Sequence, residues 1–451
     1  MRPGVGKNLF TRHDLAGKYL TKEHDKIDDD MKSSLLGKFV TLSQDGWSNI
    51  HREPIIATCL HVPGKTFLHD AVDVGDVTKD ADFCANLAKD SILSAEERYG
   101  CTVIAFVSDS ENKMVKVRAT LQEWRGKIFI CYGCSAHAIS LAQEKAASPT
   151  VCAHITEAQK FFRNHQKPQA KLKVYGGKTP QLGGTTRWTA RRENFQTFIY
   201  NHPFYVRIRD EDPALFPAAL KKILDDRQVL KGAEHMLEQL DLVVHGLNIM
   251  QSDSSHLGDC KNTWIMLSSN PDLTEDLREE IRKRMEKTIT PFHILAKIVM
   301  NKAGAELPSD QKDKAMDYIE EIDDCLPGML AAFEMEDITI FPPQAFKASI
   351  RNVLEPVKYW KYVSNNTQLE PLKVFCDLAV RVLSCPPSSA GLERAFSSFG
   401  LVHSKLRNRL GNERVMKLVR TYCHLRDKEA DDDDCLELLE NADEDETVTK
   451  D

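Results

Sequence analysis

The chain has 451 residues, 42% of them hydrophobic, with 60 basic against 67 acidic side chains and a formal charge of −7. Thirteen of the acids and two of the bases lie in Asp427–Asp451, leaving 58 basic and 54 acidic residues and a charge of +4 over residues 1–426. No apolar run reaches the roughly 18–20 residues of a membrane span, and the N-terminus lacks the apolar core of a secretory signal. Twelve scattered cysteines without a disulfide spacing fit reduced thiols.

In chain order, residues 1–34 are polar and mixed in charge, and read as a short helix or an arm. Phe39–Ser43, Pro54–Val62 and Phe67–Val74 are β-prone runs with tight links, the pattern of an antiparallel meander. Residues 80–98 follow as a helix. Cys101–Val107 is a continuous apolar run that suits a buried central strand. A helix from Met114 to Trp124, a strand at Ile128–Cys131 and a helix from Ala136 to Ala147 complete a β-β-β-α-β-α-β-α order.

Residues 196–345 lose the strand signals and read as an α-helical insertion, with Phe341–Pro342–Pro343 as its exit. Leu372–Leu383 is apolar and helical, and Cys385–Pro386–Pro387 breaks it. Ser388 or Ser389 can cap the next helix, whose apolar face is Leu392, Ala395, Phe396 and Phe399. A last amphipathic helix carries Val415, Leu418, Val419 and Tyr422. The acidic tail, 427–451, has no aromatic residue and reads as disordered.

Asp45 and Asp109 each follow an apolar strand. Two strand-end carboxylates and a third acid can hold a pair of Mg²⁺ ions for phosphodiester cleavage. Taken singly, each Asp reads first as a turn or cap residue, and Glu393 as a surface acid.

Four blocks place these residues in a family. SSAGLERAFSSFG (Ser388–Gly400), continued by LVHSKLRNRL (Leu401–Leu410), closely resembles the C-terminal block of hAT-superfamily DNA transposases. QDGWS (Gln44–Ser48), VSDSENKM (Val107–Met114) with CYGCSAHAISL (Cys131–Leu141), and TTRWTARRENF (Thr185–Phe195) fall in that family's order. The resemblance spans roughly residues 35–200 and 350–425.

It implies an RNase H-like α/β fold with a mixed sheet. Its first part would be 35–195, its all-α interruption 196–345, and its second part, with the hAT dimerisation region, 346–426. Asp45, Asp109 and Glu393 match the family's acidic triad and would hold Mg²⁺ or Mn²⁺ for DNA strand cleavage and transfer. His137, of the family's C-x-x-H element, would contact the region of the scissile phosphate. A zinc site from Cys131, Cys134, His137, Cys152 and His154 is the alternative, but the spacing fits no common module, so no structural zinc is expected.

Arg187 and Trp188 match the Arg-Trp element. They would serve DNA by phosphate contact and base stacking; a Trp packed in a core, with Arg at its rim, is the other reading. Arg191 and Arg192 extend that cluster. Lys405, Arg407, Arg409, Arg414, Lys417 and Arg420 form the densest basic stretch, for DNA backbone contact or as a solvated helix face. Leu392, Phe396, Val415, Leu418, Val419 and Tyr422 belong to the stretch the family uses for subunit association; packing onto the sheet is the alternative.

The expected partners are therefore DNA and a second copy, without a membrane, and the expected compartment is the nucleus. Residues 1–35 contain His13 and His24 but no Cys, so the BED-type zinc finger usual upstream in the family is missing from this stretch. A domesticated, catalytically inactive nuclear protein, acting through dimerisation and DNA or protein binding, stays open beside the enzyme.

Overall fold

The computed structural model describes residues 11–49, 51–143, 148–183, 190–300, 307–403 and 410–429. The protein is mixed α/β and mostly helical, with one five-stranded sheet in the order β3-β2-β1-β4-β5. The strands are β1 (Phe39–Ser48), β2 (Pro54–Val62), β3 (Lys65–Asp73), β4 (Thr102–Ser108) and β5 (Ile130–Gly133). β1 pairs antiparallel with β2, β2 antiparallel with β3, and β1 parallel with β4. β4 is buried from Val103 to Ser108, so its continuous apolar run has no solvent face to alternate against.

The chain divides into two compact units. One comprises residues 1–107, 116–129 and 389–451, the other residues 108–115 and 130–388.

In the first unit, the helix Ala81–Tyr99 is started by the Asp80 carboxylate, which accepts from the Phe83 backbone N–H, and stopped by Gly100 in the left-handed region (φ 62°). The helices Ala390–Val402 and Asn412–Glu429 form a core cluster with Ala57, Cys59 and Leu68 of the sheet. Residues Leu20–Leu35, where the sequence reads as a short helix or arm, form a 16-residue helix that buries Leu20, Ile27, Met31 and Leu35. These fall at helical spacing and make one stripe among charged residues.

Three local expectations change. Asp45 does not follow β1 but lies within it, opposite Ala57 of β2. The pairing with β4 stops at Ser43, while the pairing with β2 runs on to Ser48, so half of β1 is held from one side only. The polar run QDGWS hides that extension. The fifth strand begins at Ile130 rather than Ile128. Ser389 occupies the cap position of Ala390–Val402, but its side chain makes no capping hydrogen bond, and the Ser388 hydroxyl donates instead to the Met250 carbonyl.

The second unit is built of helices. One apolar cluster joins Pro149–Asn164, Gln166–Val174, Ala190–Glu211, Ala218–Asp225 and Arg227–Gln251 around Phe162, Phe198 and Tyr205. Phe162 and Tyr205 stack at 3.8 Å, and the Tyr205 hydroxyl donates to Gln159 Oε1. The Pro386–Pro387 breaker is tied down: Tyr132 donates its hydroxyl to the Pro386 carbonyl at 2.6 Å, and the Ser135 N–H donates to the Pro387 carbonyl. Among the described residues no helix is long and apolar enough to cross a membrane, and none of the described cysteines forms a disulfide.

Candidate active site

In the first unit, Trp47 lies with its ring centroid 4.5 Å from those of both Phe396 and Phe399. The DGW block and the C-terminal block, far apart in sequence, therefore meet as one packing unit. Side chains two residues apart on a strand share a face. Asp45 thus points to the same side of β1 as Trp47, the side covered by Ala390–Val402. Glu393 precedes Phe396 by three residues, so it also lies on the sheet-facing side of that helix. Burial alone raises the Glu393 carboxyl above its ordinary range. The Asp45 carboxylate accepts from the Gly46 backbone N–H at 2.7 Å.

The glycine of SSAGLERAF has a packing reason. A Cβ on Gly391 would come within 2.3 Å of Thr66 Cγ2 in β3. Only a residue without a Cβ lets the helix approach the sheet this closely.

In the second unit, Asp109 is half-buried. Burial raises its carboxyl, partly offset by the hydrogen bond from the Glu111 N–H; Glu111 raises it further, and His137 and Lys113 act the other way. Asp109 and His137 are thus within electrostatic reach of one another. Cys134 explains why His137 is there. Its buried thiol caps Ser135–Ala142 by accepting from the His137 backbone N–H, and its own N–H donates to the Ser108 carbonyl at 2.7 Å. The cysteine of the C-x-x-H element therefore starts the helix and couples it to the segment carrying Asp109.

The remaining site residues divide. Arg191 donates to the Gln143 carbonyl, and Arg192 pairs with Asp241. Arg187, Trp188, Lys405, Arg407 and Arg409 lie outside the described residues, as does the tail from residue 430. Lys417 pairs with Glu413, and Arg414 is exposed. Arg420 departs from both of its readings, as a DNA contact and as part of a solvated helix face. It is 3% exposed and pairs inside the unit with Asp28 at 2.6 Å, Tyr99 and His24. Leu392, Val415 and Val419 are buried in the chain's own core, with Phe396, Leu418 and Tyr422 partly buried against it. Among the described residues no group of three or more His, Cys, Asp or Glu is gathered where it could hold a metal ion.

The family model for the hAT family C-terminal dimerisation region matches residues 336–423. That for a domain of unknown function, DUF659, matches residues 10–161. The chain carries an hAT family C-terminal dimerisation region and a DUF659 domain. The hAT region takes in Glu393, Gly391 and the apolar stripe of the last helix; the other takes in Asp45, Asp109, Cys134 and His137. No curated protein matches the chain. Among solved structures, one described as a Drosophila P element transposase strand transfer complex aligns at 11% identity and a TM-score of 0.32, over 92% of this chain and 85% of that one. A likeness of that size carries no argument.

Proposed function

We propose that this hAT-type protein self-associates and binds DNA in the nucleus, and that Asp45, Asp109 and Glu393 support Mg²⁺- or Mn²⁺-dependent strand cleavage and transfer on an RNase H-like core. The observation that carries the reading is the meeting of the two outer blocks. Trp47 seats on Phe396 and Phe399, which puts Asp45 and Glu393 on one side of β1. The strand order and the parallel β1–β4 pairing are compatible with the RNase H-like core. That pairing ends at Ser43 and Val107, and Asp45 and Asp109 each stand two residues further on in sequence.

Carboxylate oxygens are the donors that a hard divalent cation takes, and the three acids would have to be drawn together to hold one, since among the described residues they are not gathered into a single group. Glu393 and Asp109 are carboxyls whose ionisation is disfavoured by burial, and a bound cation supplies the counter-charge that favours it. When bound, such ions stabilise the attacking and leaving oxygens of a phosphodiester exchange. The protein's part is to hold Asp45 and Glu393 on one packed face and Asp109 beside His137. The dimerisation region supports self-association.

The test is nicking or joining of duplex DNA by the purified chain with Mg²⁺ or Mn²⁺. Activity is expected with wild type and absent in Asp109→Ala. Activity that persists in the variant overturns the triad.

A further inference from the structure

From Ala158 to Arg192 the sequence holds nine Lys and Arg residues in 35 positions and not one Asp or Glu, in a chain with 67 acids. The described part of this run forms the end of the helix Pro149–Asn164, the helix Gln166–Val174, the segment after it and the start of the helix Ala190–Glu211, all in the second unit. Lys160, Arg163, Lys167, Lys173 and Lys178 are exposed. None of these five makes an ion pair among the described residues; elsewhere in the run Lys171 pairs with Glu211 at 3.6 Å and Arg192 pairs with Asp241.

A merely solvated helical face looks different in the same unit. On Glu275–Thr288, Arg278, Arg282, Lys283 and Arg284 are matched by acids three, four or seven residues earlier. Such i, i+3 and i, i+4 pairs are the ordinary way to carry surface charge on a helix. Lys167 and Lys171 instead place like charges four apart, which opposes the helix. Local stability therefore does not account for the pattern. The apolar sides of the same helices are used up in the core, with Phe161, Phe162 and Leu172 buried, so the cations are the outward face. Two aromatic rings at the surface are already covered by cations. Lys178 lies over Tyr200 at 4.7 Å and Arg207 over Tyr175 at 3.9 Å.

We infer that this face, centred on Lys160, Arg163, Lys167, Lys173 and Lys178, is a sequence-independent docking surface for the phosphate backbone of duplex DNA. The charge complementarity commits it to a polyanion. Unpaired cations without acids between them release the counterions of a phosphate backbone, and no base-reading geometry is needed. The surface rests on the proposed function only in taking the polyanion to be DNA.

The test measures binding of a fluorescent random-sequence duplex to the full chain, by anisotropy at several salt concentrations without divalent metal. The variant is Lys160→Gln/Lys167→Gln/Lys173→Gln/Lys178→Gln. The control is Lys314→Gln/Lys358→Gln, two exposed lysines elsewhere in the unit. Each lost phosphate contact lowers the slope of log affinity on log salt by about 0.9. The four-site variant is expected to lose about 2–4 from the slope and roughly ten-fold or more in affinity, with the control near wild type. Wild-type binding with an unchanged slope in the four-site variant overturns the surface while leaving DNA binding intact. Equal losses in variant and control also overturn it. No duplex binding by wild type at 50 mM salt overturns both this surface and the DNA part of the proposed function.

Discussion

Arg420 Nη2 lies 2.6 Å from Asp28 Oδ1 and joins the last described helix to the first long one. The same guanidinium donates to the Tyr99 hydroxyl at 2.9 Å and the Leu68 carbonyl at 3.2 Å. Burial pulls the Asp28 carboxyl up, but Arg420 and Arg98 outweigh it, and the net direction is down. Arg420→Leu leaves Asp28 to Arg98 and Tyr99 but removes the buried guanidinium that also serves the Leu68 carbonyl. A loss of roughly 3 kcal/mol in chemical denaturation is expected, with a shifted urea midpoint as the readout. An unchanged midpoint contradicts a structural role.

Trp47→Ala removes the ring that seats on Phe396 and Phe399. A partly buried aromatic lost from such a contact costs about 2–4 kcal/mol. If the contact also positions Asp45 and Glu393, metal-dependent cleavage falls further than stability does. The comparison is made well below the variant's melting temperature.

Gly391→Ala adds one methyl against Thr66. Overpacking of this kind costs about 1–3 kcal/mol. Pairing it with Thr66→Ala relieves the clash, so the double variant is expected to recover much of the loss. Strict additivity of the two changes in thermal melts would show that the two residues do not touch.

Acid lability follows from two buried histidines. Burial, with Arg98 and Arg420 nearby, pushes His69 down to about 3, and burial with Lys261 nearby pushes His293 down to about 3. Both stay neutral in the fold, while the unfolded chain takes a proton near pH 6.5. The unfolded state then binds more protons, so stability is complete above about pH 6.5 and declines as pH falls toward 3. The slope approaches about 1.4 kcal/mol per pH unit for each histidine. His69→Phe should flatten the drop in urea midpoint between pH 7 and 5; an identical slope removes His69 as a cause.

Divalent metal should raise the melting temperature of the wild-type chain by mass action. Asp109→Asn and Glu393→Gln should lose that increment while keeping the metal-free melt. A shift that survives in both variants places the cation elsewhere.

The sequence was most legible where local pattern and burial agree. β2 runs from Pro54 to Val62 in both reading and structure, because its apolar run is bounded by prolines. β4 was as clear, since a strand buried on both sides is uniformly apolar. The place of Asp45 inside β1 is not legible, because the polar run QDGWS carries no β signal; its pairing with β2 comes from the hairpin, not from propensity. Arg420 was opaque for a different reason. The basic residues just before it, Arg414 and Lys417, are exposed or paired at the surface, and Asp28, Tyr99, His24 and the Leu68 carbonyl, hundreds of residues earlier, make it a core residue. Cys134 stands out by its C-x-x-H motif, but its capping thiol depends on backbone geometry that no residue pattern displays.

The covering of the sheet by the C-terminal helices has a consequence during synthesis. Leu68 and its partner Arg420 are 352 residues apart. At about 5–20 residues per second, the ribosome delivers the cover roughly 20–70 s after the meander has emerged. For that interval Trp47, Cys59 and Leu68 lie on a bare apolar face beside newly made strands, the condition that favours intermolecular strand pairing. Truncation before Ala390 would make that interval permanent, and such a fragment should partition into the insoluble fraction or onto chaperones while the full chain does not.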